Sequence, residues 1–73
     1  MNTQIKTSAV MQRARALVNT SVQDMVSGLS HYCKREDLRV LAMGLIIVKQ
    51  RGELTKTRIL ESKIKKLRRE LAS

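Results

Sequence analysis

Residues 40–48 read VLAMGLIIV, nine residues without a charged or hydrogen-bonding side chain, and they lie between the charged segments 34–39 (KREDLR) and 49–51 (KQR). A helix that is apolar on nearly every side is buried on nearly every side. As a helix these residues would span about 14 Å, less than half of a bilayer core of roughly 30 Å. We therefore predict that this stretch is the core helix of a folded domain and does not cross a membrane.

Gly44 lies in the middle of this stretch, where glycine costs a helix about 1 kcal/mol relative to alanine. Close approach of another helix backbone would explain its presence. Two further helices from a chain of 73 residues can hardly cover every side of the central helix. We therefore predict a second subunit, in an intertwined or side-by-side homodimer. The predicted dimer interface consists of Leu41, Gly44, Leu45, Ile47, Val48, Leu60, Ile64 and Leu67.

Two short strands are the alternatives to an all-helical chain. Residues 45–48 (LIIV) are β-prone, but the basic flanks and the helical patterns on both sides favour a helix. Residues 3–7 alternate, as the N-terminal strand of ribbon-helix-helix repressors does. The helix that follows is too long for that pattern, so we expect residues 1–6 to form a flexible N-terminus.

The segment before the central helix has apolar residues at steps of three and four from about residue 7 to residue 28, which is typical of an amphipathic helix. Gly28 is expected to end this first helix in the left-handed conformation that only glycine adopts without steric cost. Tyr32, the one aromatic residue, is expected to fill the corner that follows.

Three weak helix formers in a row, residues 19–21 (NTS), indicate that this first helix breaks or bends. Either Thr20 with Gln23 or Ser21 with Asp24 would form a capping box there.

The central helix is predicted over residues 34–51 and ends at Gly52, which fits the cap position. Leu54 then returns to the core, and Thr55 caps a third helix that runs to residue 72. That helix has a short seam of apolar residues at steps of four, three and four, which forms a good packing edge. The seam consists of Leu60, Ile64, Leu67 and Leu71.

The composition fits one globular domain over residues 1–73, with 42% apolar and 29% charged residues. A domain of this size buries only about 60% of its unfolded surface. The sequence therefore predicts an all-α, three-helix module with helices at about 7–28, 34–51 and 55–72.

Fifteen Lys and Arg stand against six Asp and Glu, which gives a formal charge of +9. Self-repulsion of this size opposes folding unless an anion offsets it, so the charge points to nucleic acid, an acidic membrane surface or an acidic protein. A solvated surface without a charged partner is the alternative.

The third helix is the least balanced part of the chain, because seven basic residues accompany only Glu61 and Glu70. A solvated helix usually interleaves charges of both signs, and here only Glu61 and Lys65 have the spacing of a favourable i,i+4 pair. Because the other basic residues are not balanced, we predict that this helix contacts phosphates. A solubilising face or an acidic protein partner is the alternative. The predicted nucleic-acid-binding residues are Arg35, Arg39, Lys56, Arg58, Lys65, Lys66, Arg68 and Arg69.

Arg35 and Arg39 are four residues apart, so they lie on one face at the start of the central helix. Beside the exposed N–H groups of a helix start they would cradle a phosphate. The alternative for Arg39 is an ion pair with Glu36, which has suitable i,i+3 geometry.

The residue types needed for catalysis are missing. One His, one Cys and one Tyr provide no nucleophile with a nearby base, and the three glycines are isolated, so no enzyme activity is expected. His31 and Cys33 are too few for a zinc site within one chain, since structural zinc normally has four ligands. No metal and no cofactor is predicted.

The cellular setting is inferred from the single cysteine, Cys33, which allows no internal disulfide and favours a reducing compartment. The N-terminus lacks the apolar core of a signal peptide. A cytoplasmic protein is the simplest expectation.

Without Phe or Trp, recognition of single strands by base stacking is poorly supported, so a duplex is the better nucleic-acid partner. The sequence favours a small basic regulator that contacts DNA or RNA duplex phosphates as a dimer. The alternative is a protein-interaction adaptor or inhibitor that binds an acidic or apolar surface of a larger complex. Peripheral membrane binding, the third interpretation, would require free apolar faces and is not expected.

Overall fold

A computed structural model describes residues 2–73 of the chain, with side chains from Ala9 onward. Over this range the regular structure is four α-helices and a 3₁₀ turn, without a strand. In chain order these are α1 (Asn2–Val18), α2 (Val22–Gly28), the 3₁₀ turn (Leu29–His31), α3 (Asp37–Arg51) and α4 (Leu54–Ala72).

The all-α prediction is confirmed, whereas the structure has four helices where the sequence predicts three. Neither strand alternative occurs in the described range, since α1 covers residues 3–7 and α3 covers residues 45–48. Met1 lies outside the described residues, and the flexibility expected of residues 1–6 stays a prediction. None of the described helices is both long enough and apolar enough to span a bilayer.

The first predicted helix is interrupted at residues 19–21, where the weak helix formers indicate a break. Ser21 is extended, with φ −64° and ψ 161°, and its Oγ accepts a hydrogen bond from the Asp24 N–H at 3.1 Å. Thr20 instead donates its hydroxyl to the Leu17 carbonyl at 2.7 Å. The chain therefore uses Ser21 to begin α2, and α1 already begins at Asn2 instead of residue 7.

Gly28 does not end a helix in the left-handed conformation, so that prediction is wrong. Its φ of −68° and ψ of −26° are right-handed, and the Leu29 N–H still donates to the Met25 carbonyl. The chain passes through Gly28 into the 3₁₀ turn because the helical hydrogen bonds continue there.

Gly52 ends α3 as predicted, with the left-handed φ of 73°. Its N–H donates to the Lys49 carbonyl at 3.1 Å, and the Glu53 N–H donates to the Val48 carbonyl at 3.0 Å. These bonds satisfy carbonyls that the end of a helix leaves open.

Helix α3 forms the centre of the core, between α1 and α4. Leu41 and Val48 are fully buried, and a Cβ built on Gly44 would lie 3.1 Å from Val18 Cγ1 and 3.6 Å from Leu60 Cδ1. The close approach predicted at Gly44 is therefore made by helices of the same chain. One chain covers most of α3, so the central helix by itself does not require a second subunit.

Helix α4 packs through the predicted seam, in which Leu60, Ile64 and Leu67 are buried and Leu71 is partly buried. Two predictions at its start are wrong. Leu54 does not return to the core and is 70% exposed. Thr55 lies within the helix, which already begins at Leu54 because the two-residue turn after α3 is so short.

Candidate nucleic-acid interface

Helices α3 and α4 pack side by side, and since only Gly52 and Glu53 connect them, they run antiparallel. The start of α3 therefore lies beside the end of α4. Arg35 and Arg68 line one hollow of about 150 Å³ there, together with Leu38, Leu71 and Ala72. The two basic clusters predicted from the sequence thus meet at one end of this helix pair.

Arg35 and Arg39 also line a second, wider hollow of about 530 Å³ together with Glu36. Both arginines are exposed. The ion pair between Arg39 and Glu36 is not among those formed by the described side chains. Both guanidinium groups are therefore accessible to a ligand.

The outer side of α4 carries Arg58, Lys65 and Arg69, which lie within about 40° of one another at 100° per residue. Lys66 lies roughly 80° further round the helix. All four side chains are exposed, and no carboxylate among residues 9–73 forms an ion pair with them. The predicted pair between Glu61 and Lys65 is not formed, because Lys49 of α3 pairs with Glu61 at 3.5 Å.

Lys56 has a structural role that the sequence does not reveal. Its Nζ donates to the Val18 and Thr20 carbonyls, each at 2.7 Å, and lies 3.6 Å from Glu53 Oε1. The side chain is only 13% exposed. Since its charge already satisfies the carbonyls at the end of α1, the Lys56 ammonium is not free to bind a phosphate as the sequence predicts.

Three other cations are held by acids: Arg13 by Asp37 at 3.1 Å, Lys49 by Glu61, and Arg51 by Glu53 at 3.9 Å. The excess positive charge therefore lies mainly along α3 and α4. We define the basic face as Arg35, Arg39, Arg58, Lys65, Arg68 and Arg69, all exposed and without an ion-paired carboxylate in the described part of the chain.

An apolar groove lies between the two helices beside this face. We define the α3–α4 groove as the hollow of about 370 Å³ lined by Ala42, Leu45, Glu61, Ile64, Lys65 and Arg68. Ile46, on the next turn of α3 after Ala42, is 50% exposed. The surface therefore combines cations with apolar side chains.

Asp37 is a second position whose role the sequence does not indicate fully. It is 4% exposed, and its carboxylate accepts hydrogen bonds from Arg13 Nη2 at 3.1 Å, from the Cys33 N–H at 3.1 Å and from the Lys34 N–H at 3.0 Å. The Arg13 guanidinium also lies 5.5 Å from the centre of the Tyr32 ring. The central helix begins at Asp37 and not at residue 34 as predicted, so Arg35 lies in the turn before α3, and the bonds of Asp37 hold that turn in place.

Burial by itself raises the pKa of Asp37, because it disfavours the charged carboxylate. Hydrogen bonds from the Lys34 N–H and Arg13, the positive charge of Arg13 and the Cys33 N–H outweigh burial and lower the pKa below its usual 3.8. The acid at the helix start is predictable from its position, but the arginine that reaches it from α1 is not.

The predicted dimer-interface residues lie mostly inside one chain. The buried members are Leu41, Gly44, Val48, Leu60, Ile64 and Leu67. Leu45 and Ile47 are partly buried and pack against the same core. The fold brings the set together as an intrachain core, which leaves little of it for a partner.

Comparison of the chain with known protein families, characterised proteins and solved structures found no match. Among the side chains from Ala9 onward, no three His, Cys, Asp or Glu lie together as metal ligands would.

Proposed function

We propose that this chain is a small nucleic-acid-binding protein that contacts the phosphates of a DNA or RNA duplex with the basic face. One observation carries the proposal: Arg35 and Arg68, which are distant in the sequence, line the same hollow. The two basic clusters thereby make one continuous surface instead of two isolated ones.

The side chains of this face suit phosphate binding. Five of the six residues are arginines, and a guanidinium binds phosphate oxygens in a bidentate manner. The sixth is Lys65. Glu61, the acid nearest to Lys65 and Arg68 in the groove, is paired with Lys49 and so repels phosphate less. The other carboxylates near the face are Glu36, beside Arg35 and Arg39, and Glu70, which follows Arg69 in the sequence.

The spacing of the outer row on α4 also suits a duplex. Arg58, Lys65 and Arg69 are seven and four residues apart, which places them about 10 Å and 6 Å from one another along the helix axis. Phosphates of one strand advance about 3.4 Å per base pair, so the three side chains would reach separate phosphates. Arginine and lysine on this row favour backbone contact over base readout.

Titration of the protein into labelled DNA and RNA duplexes of about 20 base pairs, over a series of salt concentrations, tests this proposal. If all six cations of the basic face contact phosphates, the log–log salt slope should approach about −5. Absence of binding to both duplexes at low salt contradicts the proposal.

The double variant Arg58→Glu with Lys65→Glu should abolish duplex binding without loss of helicity. The matched control is Arg15→Glu with Lys34→Glu, because both are exposed cations outside the basic face and without an ion-paired carboxylate in the described range. Equal loss of binding in the two double variants would show that only net charge matters.

A protein-interaction adaptor or inhibitor is the second candidate, and exposed apolar side chains favour it. Ile46 and Val26 are each about half exposed. In this case Ile46→Asp would abolish binding to the protein partner, while reversal of charge on α4 would have a smaller effect.

The homodimer and the cytoplasmic location stay predictions. The exposed apolar side chains Val22 and Val26 on α2 are available to a dimer, since the interface residues predicted from the sequence lie mostly in the core. Light scattering at micromolar concentration decides the question, because a monomer has a mass of 8.3 kDa.

A further inference from the structure

We propose that the α3–α4 groove is a docking site for an amphipathic helix of another protein, one that carries acidic residues beside an apolar row. The proposal does not depend on duplex binding. It rests on the shape, the apolar floor and the charged rim of the groove.

The floor of the groove is apolar and of suitable length. Ala42, Leu45 and Ile64 line it, and the small side chain of Ala42 leaves space between α3 and α4. The hollow that contains Leu38 and Leu71 adjoins it, because Arg68 lines both hollows. Leu38 and Leu45 are seven residues apart on the chain, or about 10 Å, which is the span of helix anchors at i, i+4 and i+7.

The rim of the groove is positive. Lys65 and Arg68 line one hollow, and Arg35 joins Arg68 at the next. None of the three is in an ion pair with a described carboxylate. At the other end Glu61 is paired with Lys49, so that end is nearly neutral. A partner helix would therefore place its acidic residues beside Arg35, Lys65 and Arg68.

Charge and the apolar floor together favour this occupant for the groove itself, while the exposed Arg39, Arg58 and Arg69 outside the groove stay available to a duplex. A second copy of the chain has a net charge of +9 and would bring the same cations against themselves in a symmetric contact. Duplex phosphates would bind the cations but would leave the apolar floor in water. An acidic amphipathic helix satisfies both parts of the surface.

The experiment uses the full chain, labelled with ¹⁵N, and a synthetic peptide of about 16 residues, a length at which a helix is marginal in water and can be completed on binding. The peptide has leucines at i, i+4 and i+7 and glutamates on both flanks. A second peptide has lysines in place of the glutamates. We expect saturable binding of the acidic peptide only, with amide shifts at Leu38, Ala42, Leu45 and Ile64.

Two matched variants separate the groove from general attraction. Arg68→Glu should weaken binding of the acidic peptide about fivefold or more. Arg69→Glu makes the same charge change on the outer side of α4 and should alter the affinity less than about twofold. Ala42→Glu should abolish binding, whereas Ala16→Glu on exposed α1 should not. Circular dichroism identifies any variant that fails to fold, and Arg68→Gln then replaces Arg68→Glu.

Three results would overturn the proposal. The first is no saturable binding of the acidic peptide up to about 1 mM, the limit of weak specific affinity. The second is equal loss of binding in Arg68→Glu and Arg69→Glu. The third is a DNA or RNA duplex that produces the same shifts at Ala42 and Leu45 as the peptide, since the groove would then take nucleic acid.

Discussion

Arg13 Nη2 lies 3.1 Å from Asp37 Oδ1, and this ion pair joins α1 to the first turn of α3. Asp37 is almost completely buried, and its other carboxylate oxygen binds the N–H groups of Cys33 and Lys34. The pair therefore holds the approach to Arg35, where the basic face begins.

Asp37→Asn should lower the free energy of unfolding at pH 7 by about 1–3 kcal/mol, because the amide presents a donor where three donors already converge. Urea denaturation followed by circular dichroism measures the change. Glu36→Gln is the matched control, since Glu36 is exposed and its side chain makes no cap hydrogen bond. A loss of similar size in the control would contradict a specific role for Asp37.

Stability should fall as the pH drops below about 4, the usual pKa of an unfolded aspartate. The folded pKa of Asp37 is lowered, so its contribution is fully present above the unfolded pKa and is lost as the pH falls through the folded pKa. Urea midpoints measured between about pH 2 and 7 test this. The difference between the original chain and Asp37→Asn should shrink in acid, and a constant difference would contradict the assignment.

Alanine should have three different effects at the three glycines. Gly28→Ala should stabilise the fold by roughly 0.5–1 kcal/mol, because its φ of −68° is helical and the new Cβ meets only Leu17 Cδ1, at 4.0 Å. Gly52→Ala should destabilise by about 1 kcal/mol or more, since φ is 73°. Thermal or urea denaturation measures the order of stability of the glycine variants.

The effect of Gly44→Ala on stability should lie between those of Gly28→Ala and Gly52→Ala. The gain in helix propensity is opposed by the 3.1 Å approach of the new Cβ to Val18 Cγ1. The larger Gly44→Val should destabilise by about 1–3 kcal/mol through overpacking. Tolerance of valine without loss of stability would mean that α1 and α4 do not approach α3 as described.

Lys56 and Lys65 should separate stability from binding. Lys56→Met should destabilise by about 1–3 kcal/mol, because it leaves the Val18 and Thr20 carbonyls without their donor. Lys65→Met should change stability by less than about 0.5 kcal/mol, since Lys65 is exposed.

Duplex binding should show the opposite order for this pair. Lys65→Met should weaken it and reduce the salt slope by about one, whereas Lys56→Met should have little effect. A larger loss of affinity in Lys56→Met, at a temperature where both variants are folded, would restore Lys56 to the binding residues.

The sequence by itself determined the helical class, the break near Ser21, the end of α3 at Gly52 and the seam of α4. Each of these depends on residues within one or two turns of one another. Propensity, capping and apolar periodicity act over that distance, so they can be read from the order of residues alone.

The tertiary structure decided the rest. Gly44 is approached by helices of the same chain, and Leu54 is exposed. The Lys56 ammonium binds backbone carbonyls, and Arg35 and Arg68 line one hollow. Partners such as Arg13 and Asp37 are distant in the sequence. Their contact depends on how whole helices pack, and packing is set by the summed burial of many side chains and not by any local pattern.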